Sequence, residues 1–299
     1  MTLQITIKQL AYFISAAELS SVSGAARALN VSQPSISTAI NQLEDSLQQP
    51  LFVRQQGQRI ILTPAGKFAL TEARILQRQF KDFCLDTINF DGALQGELHI
   101  SGFQDLAPYY LPGILAEFKS ANAAVQISLD EGDQQQVLQN LLNCKTDIAI
   151  CYHLGAEPKI IQHRLTALYP YVMLASDHPL ATEKSLSLAQ LVAEPLIVEN
   201  LPRTKEYFMS LFRQFNLEPN IYIETSSFEM QRGLVASGLG VALSCTRPKG
   251  DLSYDGSRLI CIPLNDDVAA ETVVLCHLAE LKTTKLMREF ISCAEQYFT

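Results

Sequence analysis

Pro34, Thr38 and Asn41 recur at spacings of four and three, so on a helix they share one face. Gln33, Ser35, Ser37 and Gln42 flank them, and Ser32 precedes them as a good N-cap. Pro34 falls in the first turn, where its missing N–H costs little. The face carries hydroxyl and amide groups near the helix N-terminus, and its first charge is Glu44. An ordinary solvated face usually carries Lys and Glu. A neutral donor–acceptor face suits hydrogen bonding to base edges in a DNA major groove. Farther along, Arg54 and Arg59 suit flanking phosphates or the minor groove, with plain surface arginines as the alternative.

Residue patterns for catalysis are missing. The five histidines (99, 153, 163, 178, 277) are scattered, with no HExxH or zinc-like pairing. There is no GxSxG elbow, Walker loop or GxGxxG. Gly238-Leu239-Gly240 before Val241-Ala242-Leu243 reads as a tight helix-to-strand turn rather than a phosphate loop. Seven cysteines (84, 144, 151, 245, 261, 276, 293) lack CxxC spacing and read as buried apolar residues, not disulfides or zinc ligands. Nothing here argues for an enzyme, a metal or a cofactor.

The elements that must position the neutral face are short helices. Leu10, Phe13, Ile14 and Ala17 form one apolar stripe, and Val22, Ala25, Ala26 and Leu29 a second. Asn30-Val31-Ser32 turns the chain, after which Ile36, Ile40, Leu43 and Leu47 make a third, strongly amphipathic helix. Two short helices joined by such a turn have the dimensions of a helix-turn-helix. Phe52-Val53-Arg54, a turn at Gly57 and Arg59-Ile60-Ile61-Leu62 suggest a small β-ribbon. Thr63-Pro64 then caps a long helix towards Phe90. Its Ala69, Ala73, Leu76, Phe80, Phe83 and Phe90 follow a 4-3-4-3-7 spacing, a coiled-coil seam. A second copy of the chain is the simplest cover for that seam; packing on the chain's own body is the alternative.

From Gly96 onward, β-rich runs (97–101, 125–131, 147–152, 196–199, 220–225, 241–245, 271–278) alternate with helical stretches near 106–120, 134–143, 205–215, 227–237 and 284–298. That alternation predicts a parallel-sheet α/β body. The length of 299 residues accommodates two or three domains, and 47% hydrophobic residues supply cores for them. Charge divides unevenly: residues 1–90 carry eight basic and six acidic side chains, and 91–299 carry fifteen and twenty-five. A slightly basic head on an acidic body suggests two jobs. No apolar run is long enough for a bilayer span, and the start lacks the pattern of a secretory signal. The expectation is a cytoplasmic, soluble protein without a membrane partner.

At this point the sequence resembles the LysR-type transcriptional regulators. The resemblance lies in Leu10-x-x-Phe13, Ser21-Val22-Ser23-Gly24-Ala25-Ala26-x-x-Leu29 and Ser32-Gln33-Pro34-Ser35-Ile36-Ser37. It continues through Ile40-x-x-Leu43-Glu44-x-x-Leu47, Leu51-Phe52-x-Arg54 and Leu62-Thr63-Pro64-Ala65-Gly66. The body matches more loosely, through Leu111-Pro112, Asp147-Ile148-Ala149-Ile150 and Gly238-Leu239-Gly240-Val241.

The resemblance implies an α/β protein with an N-terminal winged helix-turn-helix (1–63), a long linker and dimerisation helix (64–91), and a two-lobed, periplasmic-binding-protein-like effector domain (92–299). Lobe one would span about 92–162 and 269–299, and lobe two about 163–268. It implies promoter DNA, a small organic effector, self-association as dimer or tetramer, and RNA polymerase as partners. DNA contacts fall to Ser32, Gln33, Pro34, Ser35, Ser37, Thr38, Asn41, Arg54 and Arg59, and dimerisation to Ala69, Ala73, Leu76, Phe80 and Phe83. For the effector, the first lobe offers Ser101, Phe103, Gln104, Tyr152 and His153. The second offers Glu199, Asn200, Arg203 and Thr204, then Ser226, Ser227 and Phe228. Ser226 and Ser227 also suit helix caps, and Arg203 also suits pairing with Glu199 or Glu206. Two aromatics and one cation in this polar set suit a small organic acid or an aromatic metabolite.

The chain departs from the family in places. Relatives often carry Gly where Gln48 stands and basic residues where Thr38, Asn41 and Gln55 stand. Fewer phosphate contacts predict modest affinity per head and reliance on two or more heads. Peroxide-sensing relatives have a reactive cysteine in the loop near 199–206; here no cysteine lies between 151 and 245. Two other classes share an α/β body: a transporter's solute-binding protein, opposed by the extra head, and an enzyme, opposed by the missing catalytic pattern.

Overall fold

The computed structural model describes residues 4–54 and 59–298, with the Arg54 side chain outside the described set. Three helices open the fold: α1 (Ile7–Glu18), α2 (Val22–Ala28) and α3 (Gln33–Leu47). Each has a hydroxyl cap: Thr6, Ser21 and Ser32 accept from the amides of Gln9, Gly24 and Ser35. Tyr12, Ala16, Ala25, Ile36 and Ile40 bury together where the three helices meet. The ribbon follows as β1 (Phe52–Arg54) antiparallel to β2 (Ile60–Leu62). The expected turn at Gly57, and Gln55, lie outside the described residues.

Helix α4 (Pro64–Ile88) starts from the Thr63 cap. A Cβ at Gly66 would stand 2.0 Å from the Leu51 carbonyl oxygen, so the helix meets the ribbon this closely only with glycine there. The predicted seam divides. Ala73 is buried with Leu10, Phe13 and Leu43 in the head's own core, and Ala69 packs beside it. Ala73 is thus taken up by its own chain's core rather than left open to a second copy, while Ala69 stays half-buried beside it. Leu76, Phe80, Phe83 and Phe90 are exposed. Leu47, expected in the core stripe of α3, is also exposed at the helix end.

The chain continues through β3 (Gly96–Phe103), α5 (Ala107–Ala121), β4 (Val125–Gly132), α6 (Gln134–Leu142), β5 (Ile148–Tyr152) and β6 (Ile160–Leu168). Next come β7 (Tyr171–Ala175), α7 (Leu188–Leu191), β8 (Leu196–Glu199), α8 (Pro202–Gln214), β9 (Ile221–Thr225) and α9 (Phe228–Ala236). Last are β10 (Ala242–Ser244), β11 (Leu259–Pro263), β12 (Glu271–Leu278) and α10 (Lys285–Tyr297).

The first sheet has the order β4-β3-β5-β12-β6. Strand β3 pairs parallel with β4 and β5, whereas β12 runs antiparallel to β5 and β6. The second lobe holds the antiparallel set β10-β7-β11 and the parallel pair β8-β9, joined by a bridge between Leu196 and Val241. The body is thus mixed rather than parallel: β12 re-enters the first sheet antiparallel, and β7 pairs antiparallel with both its neighbours in the second lobe. Strand β6 pairs with β12 through Leu168, so the expected lobe boundary at 162/163 would cut a strand. The crossing falls after Leu168.

Each lobe has its own core, one around Leu98, Ile100, Phe118, Leu275 and Phe290, the other around Val172, Leu174, Leu196, Phe212 and Leu243. Full burial of such a side chain contributes about 1.5–3 kcal/mol. Cys151, Cys245 and Cys276 are buried as expected; the other four cysteines are only half-buried. Among the described residues, no helix is long and apolar enough to cross a membrane.

Candidate functional site

On α3, Ile36, Ala39, Ile40 and Leu43 bury against α1 and α2. That leaves Ser32, Gln33, Pro34, Ser35, Thr38 and Asn41 exposed, with Ser37 half-buried. Pro34, Ser35, Thr38 and Gln42 form one side of a shallow groove whose other side is Lys8, Gln9 and Tyr12 of α1. Gln9 closes its floor by donating to Gln42 at 3.0 Å. Glu44, the first charge on α3, turns inward and accepts from the amides of Leu51 at 2.6 Å and Phe52 at 3.1 Å. Its carboxylate holds the ribbon to the helix, so no acid faces a bound anion from the first turns of α3. Gln48, where relatives carry Gly, takes the left-handed conformation with φ 52°. Arg59 is exposed at the start of β2.

The second site lies between the lobes, at strand ends, where open α/β folds bind ligands. Asp105 follows β3, Tyr152 and His153 end β5, and Glu271 opens β12. From the other lobe come Glu199 at the end of β8, Arg203 and Thr204 at the start of α8, and Thr246 just after β10. Together they line a cavity of about 420 Å³. Direct bonds cross the cleft: the Tyr152 and Thr246 hydroxyls are 2.7 Å apart, and Gln104 donates to the Ser226 carbonyl at 3.0 Å. Tyr109 donates to Glu229 at 2.9 Å.

Two buried carboxyls meet inside. Asp105 and Glu199 share a hydrogen bond, and burial pushes both above the ordinary carboxylate range. The Asp105 charge raises Glu199 further. The Glu199 carboxyl oxygen Oε1 is sealed from solvent. Burial alone lifts Glu271 to about 7. The thiol of Cys245, against the Tyr207 hydroxyl at 3.8 Å, is pushed up to about 12 and stays protonated.

Of the residues expected at the effector site, Tyr152, His153, Arg203 and Thr204 line the cavity. Ser101 does not: it is fully buried, 2.7 Å from the Thr146 hydroxyl and accepting from Asn140 at 3.2 Å. Phe103 is buried too, packed under Tyr152 at a ring separation of 5.6 Å. Gln104 bridges the lobes and hydrogen-bonds Asp105. Asn200 is exposed beside the cavity, its backbone amide tied to Thr225. Ser227 caps α9 by accepting from Met230, Ser226 is exposed, and Phe228 is buried in a core of the second lobe against Tyr109. Both faces of β3 are covered towards its end, where Ile100, Ser101, Gly102 and Phe103 are all buried, so only the loop after the strand reaches the cleft. Sequence reading missed Asp105, Gln134, Tyr207, Cys245, Thr246 and Glu271. The first strand's following loop and the segment after the Gly238-Leu239-Gly240 turn were the available signals.

A model described as "Bacterial regulatory helix-turn-helix protein, lysR family" matches residues 7–67, and the "LysR substrate binding domain" matches 91–299. The chain belongs to the LysR family. This LysR-family protein is 32% identical over 247 residues to the HTH-type transcriptional activator CmpR of Synechocystis, covering 80% of the chain and 78% of that relative. It is 34% identical to the crystal structure of HinK, a LysR-family transcriptional regulator from Pseudomonas aeruginosa, with a TM-score of 0.66 over 98% of this chain and 99% of that one. It shares its fold with the effector-binding domain of QuiR in complex with shikimate: TM-score 0.62, 21% identity, 68% of this chain and 97% of that one. The LysR-family protein is therefore a DNA-binding transcriptional regulator with an effector-binding body, and not an enzyme.

Proposed function

We propose that this regulator reads promoter DNA through the exposed face of α3 and changes its hold on that DNA when a small organic effector occupies the cleft between its lobes. The observation that carries the reading is the cavity walled by both lobes, with hydrogen bonds from Tyr152 to Thr246 and from Gln104 to Ser226 spanning it. A ligand that alters the lobe angle must break or remake those bonds. Binding energy at the cavity thereby becomes a change in domain geometry. The shikimate in the related QuiR domain supports a small organic ligand as the occupant.

Within this reading, Ser32, Gln33, Pro34, Ser35, Ser37, Thr38 and Asn41 meet base edges or adjacent backbone, while Arg54 and Arg59 meet phosphate or the minor groove. The uncovered rings of Phe80 and Phe83, with Leu76, join two copies through α4, in a dimer or within a tetramer. Activity is cytoplasmic, with RNA polymerase as the partner at the promoter. The test is a gel shift on DNA from upstream of the protein's own coding sequence, with and without small-molecule extract of the cell. A specific complex whose affinity or footprint moves with extract supports the reading; no specific complex on that DNA counts against it.

A further inference from the structure

We propose that Gln42 contacts DNA as a hydrogen-bond donor, and that Gln9 on the neighbouring helix is the positioning residue that holds its carboxamide in that sense. This rests on the reading that the exposed face of α3 meets DNA, and it assigns the polarity of one contact there. Gln42 is exposed, one turn beyond Thr38, on the groove wall that also carries Pro34 and Ser35. The opposite wall is α1, with Lys8, Gln9 and Tyr12. Among the described residues that line this groove there is one cation, Lys8, and no acid, so an approaching DNA backbone meets no like charge.

The polarity follows from the cap of α1. Gln9 Oε1 accepts from the Thr6 amide at 2.8 Å and from the Thr6 hydroxyl at 3.1 Å. The same hydroxyl accepts from the Gln9 amide at 3.2 Å, which completes a capping box. Turning the Gln9 carboxamide round would set its NH2 group against the Thr6 N–H, donor against donor. Its Nε2 therefore faces Gln42 and donates to Oε1 there at 3.0 Å. Gln42 is left with its carbonyl towards α1 and its two Nε2 N–H donors on the open side. Guanine N7 and O6, thymine O4 and phosphate oxygens accept from such a group, whereas cytosine N4 is itself a donor. The residues that start α1 thus set what α3 offers to DNA.

The test uses the full-length protein and a pool of randomised DNA duplexes, from which the wild type selects a site. Fluorescence anisotropy at fixed salt then compares affinities for that site. Gln42→Met, of similar length but without donors, should bind about two- to twelvefold more weakly, the range for one neutral hydrogen bond. Gln9→Glu keeps the cap, because a carboxylate accepts from Thr6, yet it also accepts from Gln42 and so turns that carboxamide round. It should weaken binding at least as much as Gln42→Met does. In the Gln42→Met background, which has no carboxamide to turn, Gln9→Glu should cost less than half that factor. Repeating the selection with the variants separates the two kinds of acceptor. With a base contact, Gln42→Met loses preference at one position of the site, and Gln9→Glu replaces guanine or thymine there by cytosine or adenine. With a phosphate contact, every variant selects the wild-type site and only affinity falls. Wild-type affinity in Gln42→Met would overturn the contact, and an equal cost of Gln9→Glu in both backgrounds would overturn positioning by Gln9. Thermal unfolding checks that the variants fold. If the wild type selects no site, the reading of α3 falls with this proposal; a selected site that Gln42→Met binds equally well removes the proposal alone.

Discussion

Arg78 of α4 pairs with Asp147 beside β5, and the same guanidinium donates to Asp82 one helical turn away at 2.8 Å. All three side chains are buried. Asp147 also accepts from the His99 amide at 2.9 Å, so the pair clamps the linker helix to the first sheet. Arg74 on the same helix bridges Glu18 of the head at 2.8 Å and Asn143 of the body at 2.7 Å, and Lys282 pairs with Asp86 farther along α4 at 2.8 Å.

Arg78→Ala leaves two acids buried without their cation. Breaking a buried ion pair from one side typically costs about 3–5 kcal/mol. Chemical denaturation should register a loss of that size, larger than for Arg74→Ala, whose Glu18 partner is open to solvent. An unchanged midpoint for Arg78→Ala would mean that the clamp contributes nothing to stability.

Asn41→Ala touches no core residue, because Asn41 is exposed on α3. Its expected effect is on DNA reading alone: a lost base contact removes about 1–3 kcal/mol of discrimination. Arg59→Ala should instead weaken every sequence alike and flatten the salt dependence by roughly one unit. Competition binding with mutated operators separates the two outcomes, and retained preference in Asn41→Ala would take that residue out of the readout.

Phe80 and Phe83 are exposed at 48% and 66% on α4. If a second copy covers them, each ring contributes up to about 1.5–3 kcal/mol to association. Phe83→Glu should shift sedimentation towards monomer and weaken DNA binding through loss of a second head. An unaltered oligomer in that variant would place the interface elsewhere.

Glu271 titrates near neutrality, raised from 4.5 to about 7 by burial. A carboxyl raised in the folded state favours folding in its protonated form, so its contribution is full below about pH 4.5 and is lost as the pH rises to 7. The groups that feel its charge are the hydroxyls of Tyr152 and Tyr207 and the thiol of Cys245, none of them a cation. Glu271→Gln should therefore unfold at a higher temperature than the parent at pH 8 and match it more closely at pH 5. The expected gain at pH 8 is at most about 3 kcal/mol. Parallel pH profiles for the two proteins would show that Glu271 does not govern this slope.

Short-range information in the chain already specified much of the head. Hydroxyl caps at Thr6, Ser21 and Ser32 and apolar spacings of three and four act within one turn of helix, so they are readable residue by residue. The outward face of α3 follows from its buried face by geometry alone. Strand–helix alternation gave the body its class. Strands β6, β7 and β11 escaped, although the unbroken apolar run Tyr171–Ala175 marks one of them.

What the tertiary structure decided is which distant residues share a space. The seam on α4 has one period in the sequence, yet Ala73 faces its own head while Phe83 faces outward, since the head packs against only the first turns of the helix. Ser101 and Asp105 sit a few residues apart around the end of β3, yet one is sealed inside the lobe and the other opens on the cleft. Glu199 reads in sequence as an ordinary acid at the end of a strand. Only the closing of one lobe on the other brings Asp105 to it, removes the water from both, and makes their charge costly. The order of residues sets each local preference, but desolvation is a property of the assembled neighbours.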